Sequence, residues 1–194
     1  MTFPADLVIA ETRAWVRRAV IGLNLCPFAR AVEARDRMRY VVSDSTDPAA
    51  ILAQMMAEFR LLADTPVEDT ETTLLILPDA FPDFLDFNDF LELAERGLRR
   101  AGLEGTFQIA SFHPDYRFAG TEADDIANAT NRSPFPTLHL LRESSIDRAV
   151  ASVANPDSIF EANIATMRRL GHEGWQALRA QCRKDRDSGG TPPL

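Results

Sequence analysis

The chain has 194 residues, 45% apolar and 26% charged, with a mean hydropathy of -0.17, an ordinary composition for one globular domain. Its 29 acidic residues outnumber 21 basic ones, giving a formal charge of -8 and a pI near 4.9. That balance disfavours general nucleic-acid binding, where phosphate neutralisation supplies most of the affinity. No apolar run approaches the roughly 18 residues of a membrane span. The start, MTFPADLVIAETRAW, lacks the basic head and apolar stretch of a signal peptide, so a cytoplasmic protein is expected.

The first periodic segment spans 5–22, where Leu7, Ile9, Ala10, Ala14, Val16, Val20 and Ile21 form a helical stripe that Gly22 stops. After LNLCPFARAVEARD comes a strand-like MRYVVS at 38–43. A helix over about 47–63 opens with Asp47 as N-cap and Pro48 in the first turn, burying Ile51, Leu52, Met55, Phe59 and Leu62. TTLLILP at 72–78 reads as a buried strand, 82–100 as a third helix, and TFQIASF at 106–112 as a third strand. TLHLLRE at 137–143 forms a fourth strand, two or three helices fill 145–184, and the Ser-Gly-Gly-Thr-Pro-Pro end reads as disordered. The expectation is an α/β or α+β sandwich of about four strands packed with helices. It is one domain over 1–186, with a tail at 187–194.

Two cysteines, Cys26 and Cys182, build neither a disulfide framework nor a structural zinc site. Twenty arginines stand against the single Lys184, which leaves lysine-nucleophile chemistry one candidate, in the tail.

Between Leu61 and Glu95 there are ten acidic residues and no basic one, so the net charge is concentrated there. Phe81, Phe84, Phe87 and Phe90 recur every three residues, a spacing that drifts around a helix by about 60° per step. Phe84 and Phe87 belong with Leu91 and Leu98 in the core. Phe81 or Phe90 is left as the exposed member of an acidic face, where a protein partner could dock.

The stretch richest in chemistry is 111–143, SFHPDYRFAGTEADDIANATNRSPFPTLHLLRE. A polar connection this long inside a compact domain is functional or disordered, and its flanking phenylalanines and leucines argue for order. His113 stands at the C-terminal end of a strand, where α/β proteins place reactive groups, and suits general acid/base work or metal ligation. His139 alternates with Leu138 and Leu140 and is a second such candidate, or a satisfied core side chain. Both could share a metal with Asp115, Asp124, Asp125 or Glu143. Their spacing matches no H-x-x-x-H or H-x-E pair, so metal and cofactor stay open. Arg117, Arg132 and Arg142 are the natural readers of a small anion, or else partners of the local carboxylates. Asn128, Asn131 and Ser133 can orient a ligand or simply make turns.

Cys26-Pro27-Phe28 forms a second candidate site, or else holds a buried structural cysteine. A cysteine before proline can cap a short helix, whose free N–H groups lower a thiol's pKa. CPFAR resembles the active-site turn of glutaredoxins and some glutathione transferases, but a helix precedes it and no C-x-x-C partner follows.

Three blocks together, GLNLCPFA at 22–29, SFHPDYRFAGT at 111–121 and NRSPFPTLHLLRE at 131–143, resemble the bacterial family catalogued as domain of unknown function 1415. The resemblance runs from the first helix to about residue 184 and implies no particular activity. H-E-x-x-H and G-x-S-x-G are absent. Three functions follow as expectations. The first is an enzyme acting on a small anionic substrate in a pocket built by the 111–143 loop, with His113 as acid/base or metal ligand. The second is a redox, transferase or hydrolase activity centred on Cys26 and paired with His113 or His139. The third is an interaction module using the acidic, phenylalanine-rich face.

Overall fold

A computed structural model describes residues 3–151, 158–189 and 192–194. In chain order it contains α1 (Ala5–Trp15), a π-helical turn (Val16–Ile21), α2 (Ala29–Ala34), β1 (Met38–Val42), α3 (Pro48–Asp64) and β2 (Thr72–Ile76). There follow α4 (Phe84–Arg100), β3 (Phe107–Phe112), a 3-10 helix (Ile126–Asn131), β4 (Thr137–Arg142), α5 (Glu143–Ala151) and α6 (Ser158–Ser188). The expected α/β architecture of four strands packed with helices is what forms.

The helix starts follow from local chemistry. The Asp47 carboxylate accepts from the N–H groups of Ala49 and Ala50 at 3.2 Å, with Pro48 at the first position. Asp83 caps α4 in the same way, accepting from Leu85 at 2.7 Å. The first periodic segment is less regular than expected: α1 widens to a π turn before Gly22. A Cβ at Gly22 would stand 2.3 Å from the Arg18 carbonyl oxygen, so only glycine fits this exit. Gly171 (φ 67) breaks α6 into two arms.

The sheet order is β1-β2-β4-β3, with β1 parallel to β2 and β4 antiparallel to both of its neighbours. Strand alternation sends side chains into two separate cores. Leu75, Leu77, Leu138, Leu140 and Phe107 pack against Ile51, Met55, Phe59 and Leu62 of α3 and Phe87, Phe90, Ala94 and Leu98 of α4. On the other face, Met38, Leu74 and Ile76 meet Val8, Trp15, Val16 and Ala19 of the first helix and Met167, Trp175 and Cys182 of α6. The sheet is therefore covered on both faces, and its strand ends carry the polar segments.

At the start of α4 the exposed apolar residue is Leu85, at 70%, whereas Phe90 is buried and stacks on Phe81 at 4.6 Å. The three-residue aromatic spacing hid this because Phe81 lies before the helix, with φ 53, and folds back over it. At the other terminus α6 continues to Ser188. Pro192 is buried, its carbonyl accepting from Arg17 at 2.8 Å, while residues 190–191 of the expected tail lie outside those described.

Candidate functional site

Residues 113–136 leave β3, wind through the 3-10 helix and return to β4 as an ordered, internally hydrogen-bonded segment. His113 opens it, 1% exposed, with both ring nitrogens engaged. Nδ1 accepts from the Asp115 N–H at 3.0 Å, which leaves Nε2 to donate to the Phe81 carbonyl at 3.0 Å. Phe84 and Phe87 flank the ring at 5.4 and 5.3 Å. Burial pushes its pKa below the usual histidine value, against the pull of the Phe81 carbonyl, Asp115 and Asp83. A neutral ring that ties β3 to the segment before α4 accounts for every polar atom it has.

The other polar side chains of the segment also serve its own shape. Asn128 is fully buried; its Oδ1 accepts from the Phe118 N–H at 3.0 Å and the Thr121 hydroxyl at 2.8 Å, and its Nδ2 donates to the Glu122 carbonyl. The Asn131 Oδ1 accepts from the Thr130 hydroxyl at 3.4 Å while its main-chain carbonyl accepts from the His113 N–H at 3.3 Å, and Ser133 donates to the Phe135 carbonyl at 2.6 Å. Arg117 is exposed and donates to the Thr121 carbonyl. Arg132 donates to the carbonyls of Tyr116 at 3.3 Å and Ala123 at 2.7 Å.

The three arginines do not converge. Thr137 of β4 faces Phe112 and Arg142 faces Phe107, so Arg142 sits at the far end of a strand about 17 Å long. There it donates to the carbonyls of Leu62, Thr65 and Thr70 and fastens the end of α3. This role is invisible in sequence because its partners lie 72–80 residues away and are all backbone.

His139 stands between Leu74 and Ala110 on the face that looks toward α1 and α6. Its ring lies 6.2 Å from that of Phe112, which in turn meets Trp15 edge-on at 5.2 Å. Its Nε2 is sealed from solvent without a hydrogen-bond partner, and burial pushes its pKa down to about 4. The ring is neutral at pH 7, and one nitrogen remains unclaimed. Among the described residues no group of three or more His, Cys, Asp or Glu side chains could hold a metal ion.

Cys26 is half-buried beside the N–H groups of Phe28 and Ala29. The helix begins at Ala29, with Phe28 as its cap residue, rather than at Pro27. Burial pushes the Cys26 thiol up, and the two N–H groups offset this only in part, so the thiolate expected from a capping cysteine is not favoured.

Where the 131–136 turn meets the two helices, a narrow cleft opens between Glu11 and Trp15 of α1, Ser133 and Pro134, and Trp175, Arg179 and Cys182 of α6. Its enclosed part is about 10 Å³, room for one water-sized group. The Trp175 indole N–H is buried without a partner among the described residues. Arg179 makes no ion pair among the described residues. Burial lowers the pKa of Arg132, and Arg179 adds to that effect while Asp115 opposes it. Glu11 is held by Arg186 at 2.7 Å, and burial raises Cys182 to about 11. Sequence reading singled out Ser133 and Arg132 but not Trp15, Trp175 or Arg179. The one available signal was that both tryptophans of the chain fall outside the 111–143 segment, on helices at opposite ends of the sequence.

The family model described as "Protein of unknown function (DUF1415)" matches residues 7–177, and the chain belongs to that family. No curated protein and no solved structure matches it.

Proposed function

We propose that this family member is an enzyme whose small anionic substrate enters the cleft between the 131–136 turn, α1 and α6. The observation that carries the reading is the buried Trp175 N–H, without a partner among the described residues, in a cleft whose rim holds Arg179, which makes no ion pair among those residues. A buried donor without an acceptor is costly, by roughly 1–3 kcal/mol, and an anion oxygen would satisfy it. The enclosed volume admits a single oxygen of the anion. The body of the substrate stays at the rim, where Arg179 supplies positive charge. Neutral His139 lies sealed behind Phe112 and Trp15, outside the lining of the cleft, and carries no role in this reading. In this reading His113 holds the segment in shape.

Both tryptophans line the cleft, so intrinsic fluorescence reads it directly. Titration with inorganic phosphate, acetate and succinate is expected to give a saturable change with at least one of them, lost in Arg179→Ala. Flat titrations with all three, or an unchanged response in the variant, would sink the reading.

A second reading, docking through the acidic start of α4, is favoured by Leu85 standing exposed among Asp83, Asp86 and Asp89. A basic amphipathic peptide should bind there, weakened by salt and by Asp86→Lys. Equal binding by wild type and variant rejects it.

A further inference from the structure

The two edges of the sheet differ. On β3 the outer side is occupied at both ends, where the Phe107 N–H donates to the Leu103 carbonyl at 3.0 Å and the His113 N–H to that of Asn131. On β1 the outer side is open. The Ser43 N–H donates to the Ile76 carbonyl at 2.9 Å, so the odd-numbered residues of β1 turn their main-chain groups towards β2. Alternation then points the N–H and C=O groups of Met38, Tyr40 and Val42 outward, where they have no hydrogen-bond partner among the described residues.

Sheets blunt an open edge with proline, a bulge or an unpaired charge. The strand MRYVV carries none of these. Its polar side chains are spent within the chain: Arg39 pairs with Glu58 at 2.8 Å, and the Tyr40 hydroxyl donates to Glu33 at 2.9 Å. Val41 and Val42 are half-buried, one on each face of the sheet. The flank of α3 next to Glu58 is uncharged as well. Ala50, Gln54, Ala57 and Leu61 recur there at helical spacing, with both alanines exposed.

We propose that β1 pairs antiparallel with β1 of a second copy of this chain, about a two-fold axis at Tyr40, joining two four-stranded sheets into one. In this register Met38 faces the partner's Val42, Arg39 faces the partner's Val41, and Tyr40 faces its own counterpart. Each outward N–H of the strand then meets an outward C=O. A five-residue strand is small against the roughly 800 Å² a side usual for a stable dimer. The same axis lays α3 beside its counterpart, and their uncharged flanks add the apolar area. No unpaired charge is buried, because each Arg39 keeps its own Glu58. A second copy is the occupant because strand and flank are both self-complementary and offer a charged partner nothing to read. The interface uses no residue of the anion cleft or of the acidic start of α4.

Sedimentation of the full chain over a concentration series, with amide hydrogen exchange, tests this. The expected result is a rise from 21.6 kDa to twice that mass, with the Tyr40 and Val42 amides protected in the dimer. Ala57→Glu sets two carboxylates against each other beside the axis. Val42→Pro removes an outward N–H that the single chain does not use. Each should weaken association at least tenfold with the circular-dichroism spectrum unchanged, whereas Leu85→Glu should leave it intact. A 21.6 kDa species at every concentration up to about 1 mM overturns the proposal. So does a dimer that survives Ala57→Glu, or one in which the Tyr40 and Val42 amides exchange as fast as in the monomer.

Discussion

The His113 Nε2 donates to the Phe81 carbonyl at 3.0 Å, across 32 residues of sequence. Phe81 holds φ 53, a left-handed backbone that a bulky residue rarely adopts, and its ring stacks on Phe90 at 4.6 Å. The histidine thus fixes a strained turn at the mouth of α4, and the turn in turn fixes the tautomer of the histidine. His113→Ala removes a buried ring and orphans the Phe81 carbonyl. It is expected to cost about 2–4 kcal/mol in urea unfolding. A loss below about 0.5 kcal/mol would show that the ring is not a structural tie.

His139 makes stability depend on pH. Its pKa is lowered in the fold from 6.5 to about 4, so between those values the unfolded chain binds the extra proton. The stabilisation is fully present above 6.5 and lost as pH falls towards 4, about 3 kcal/mol in all. His139→Gln should flatten that part of the profile, leaving the smaller contribution of His113, which has the same sign. Denaturant midpoints for both proteins at a series of pH values decide it; parallel curves would assign the slope elsewhere.

Glu33 is 5% exposed, paired with Arg17 and accepting from Tyr40. Removing one partner of such a buried set leaves an uncompensated guanidinium and a phenol without its acceptor. Glu33→Ala is expected to lower stability by about 3–5 kcal/mol. Thermal unfolding checks this, and a melting point within a degree or two of wild type would contradict the hub.

Gly22→Ala places a methyl group 2.3 Å from the Arg18 carbonyl oxygen, which is backbone and cannot swing aside. The π turn must then rearrange, at about 2 kcal/mol or more. Chemical denaturation measures the loss. A neutral alanine here would mean that the exit from the helix relaxes freely.

Periodicity and caps revealed much of this fold. Asp47 and Pro48 mark the start of α3 because the capping chemistry lies within three residues. The alternation at 137–142 marks β4 because burial on a sheet has period two. The fate of individual polar residues was less legible. His113 and Arg142 look reactive in sequence, yet each is occupied by main-chain carbonyls from distant segments, and no residue type announces a carbonyl partner. The cleft was hidden for a related reason: Trp15 and Trp175 lie 160 positions apart and meet only when α6 packs on α1.

The strand order carries a consequence for biogenesis. β2 and β3 lie on either side of β4, the last strand to be made. A nascent chain that has not yet emerged beyond Arg142 presents two lengths of unpaired backbone facing an empty slot, one of them the wholly buried TTLLI of β2. Stalling or proteolysis within 113–136 would leave fragments that can close the gap only with one another. The chain should therefore acquire its structure in one late step, and its truncated forms should aggregate rather than persist as folded pieces.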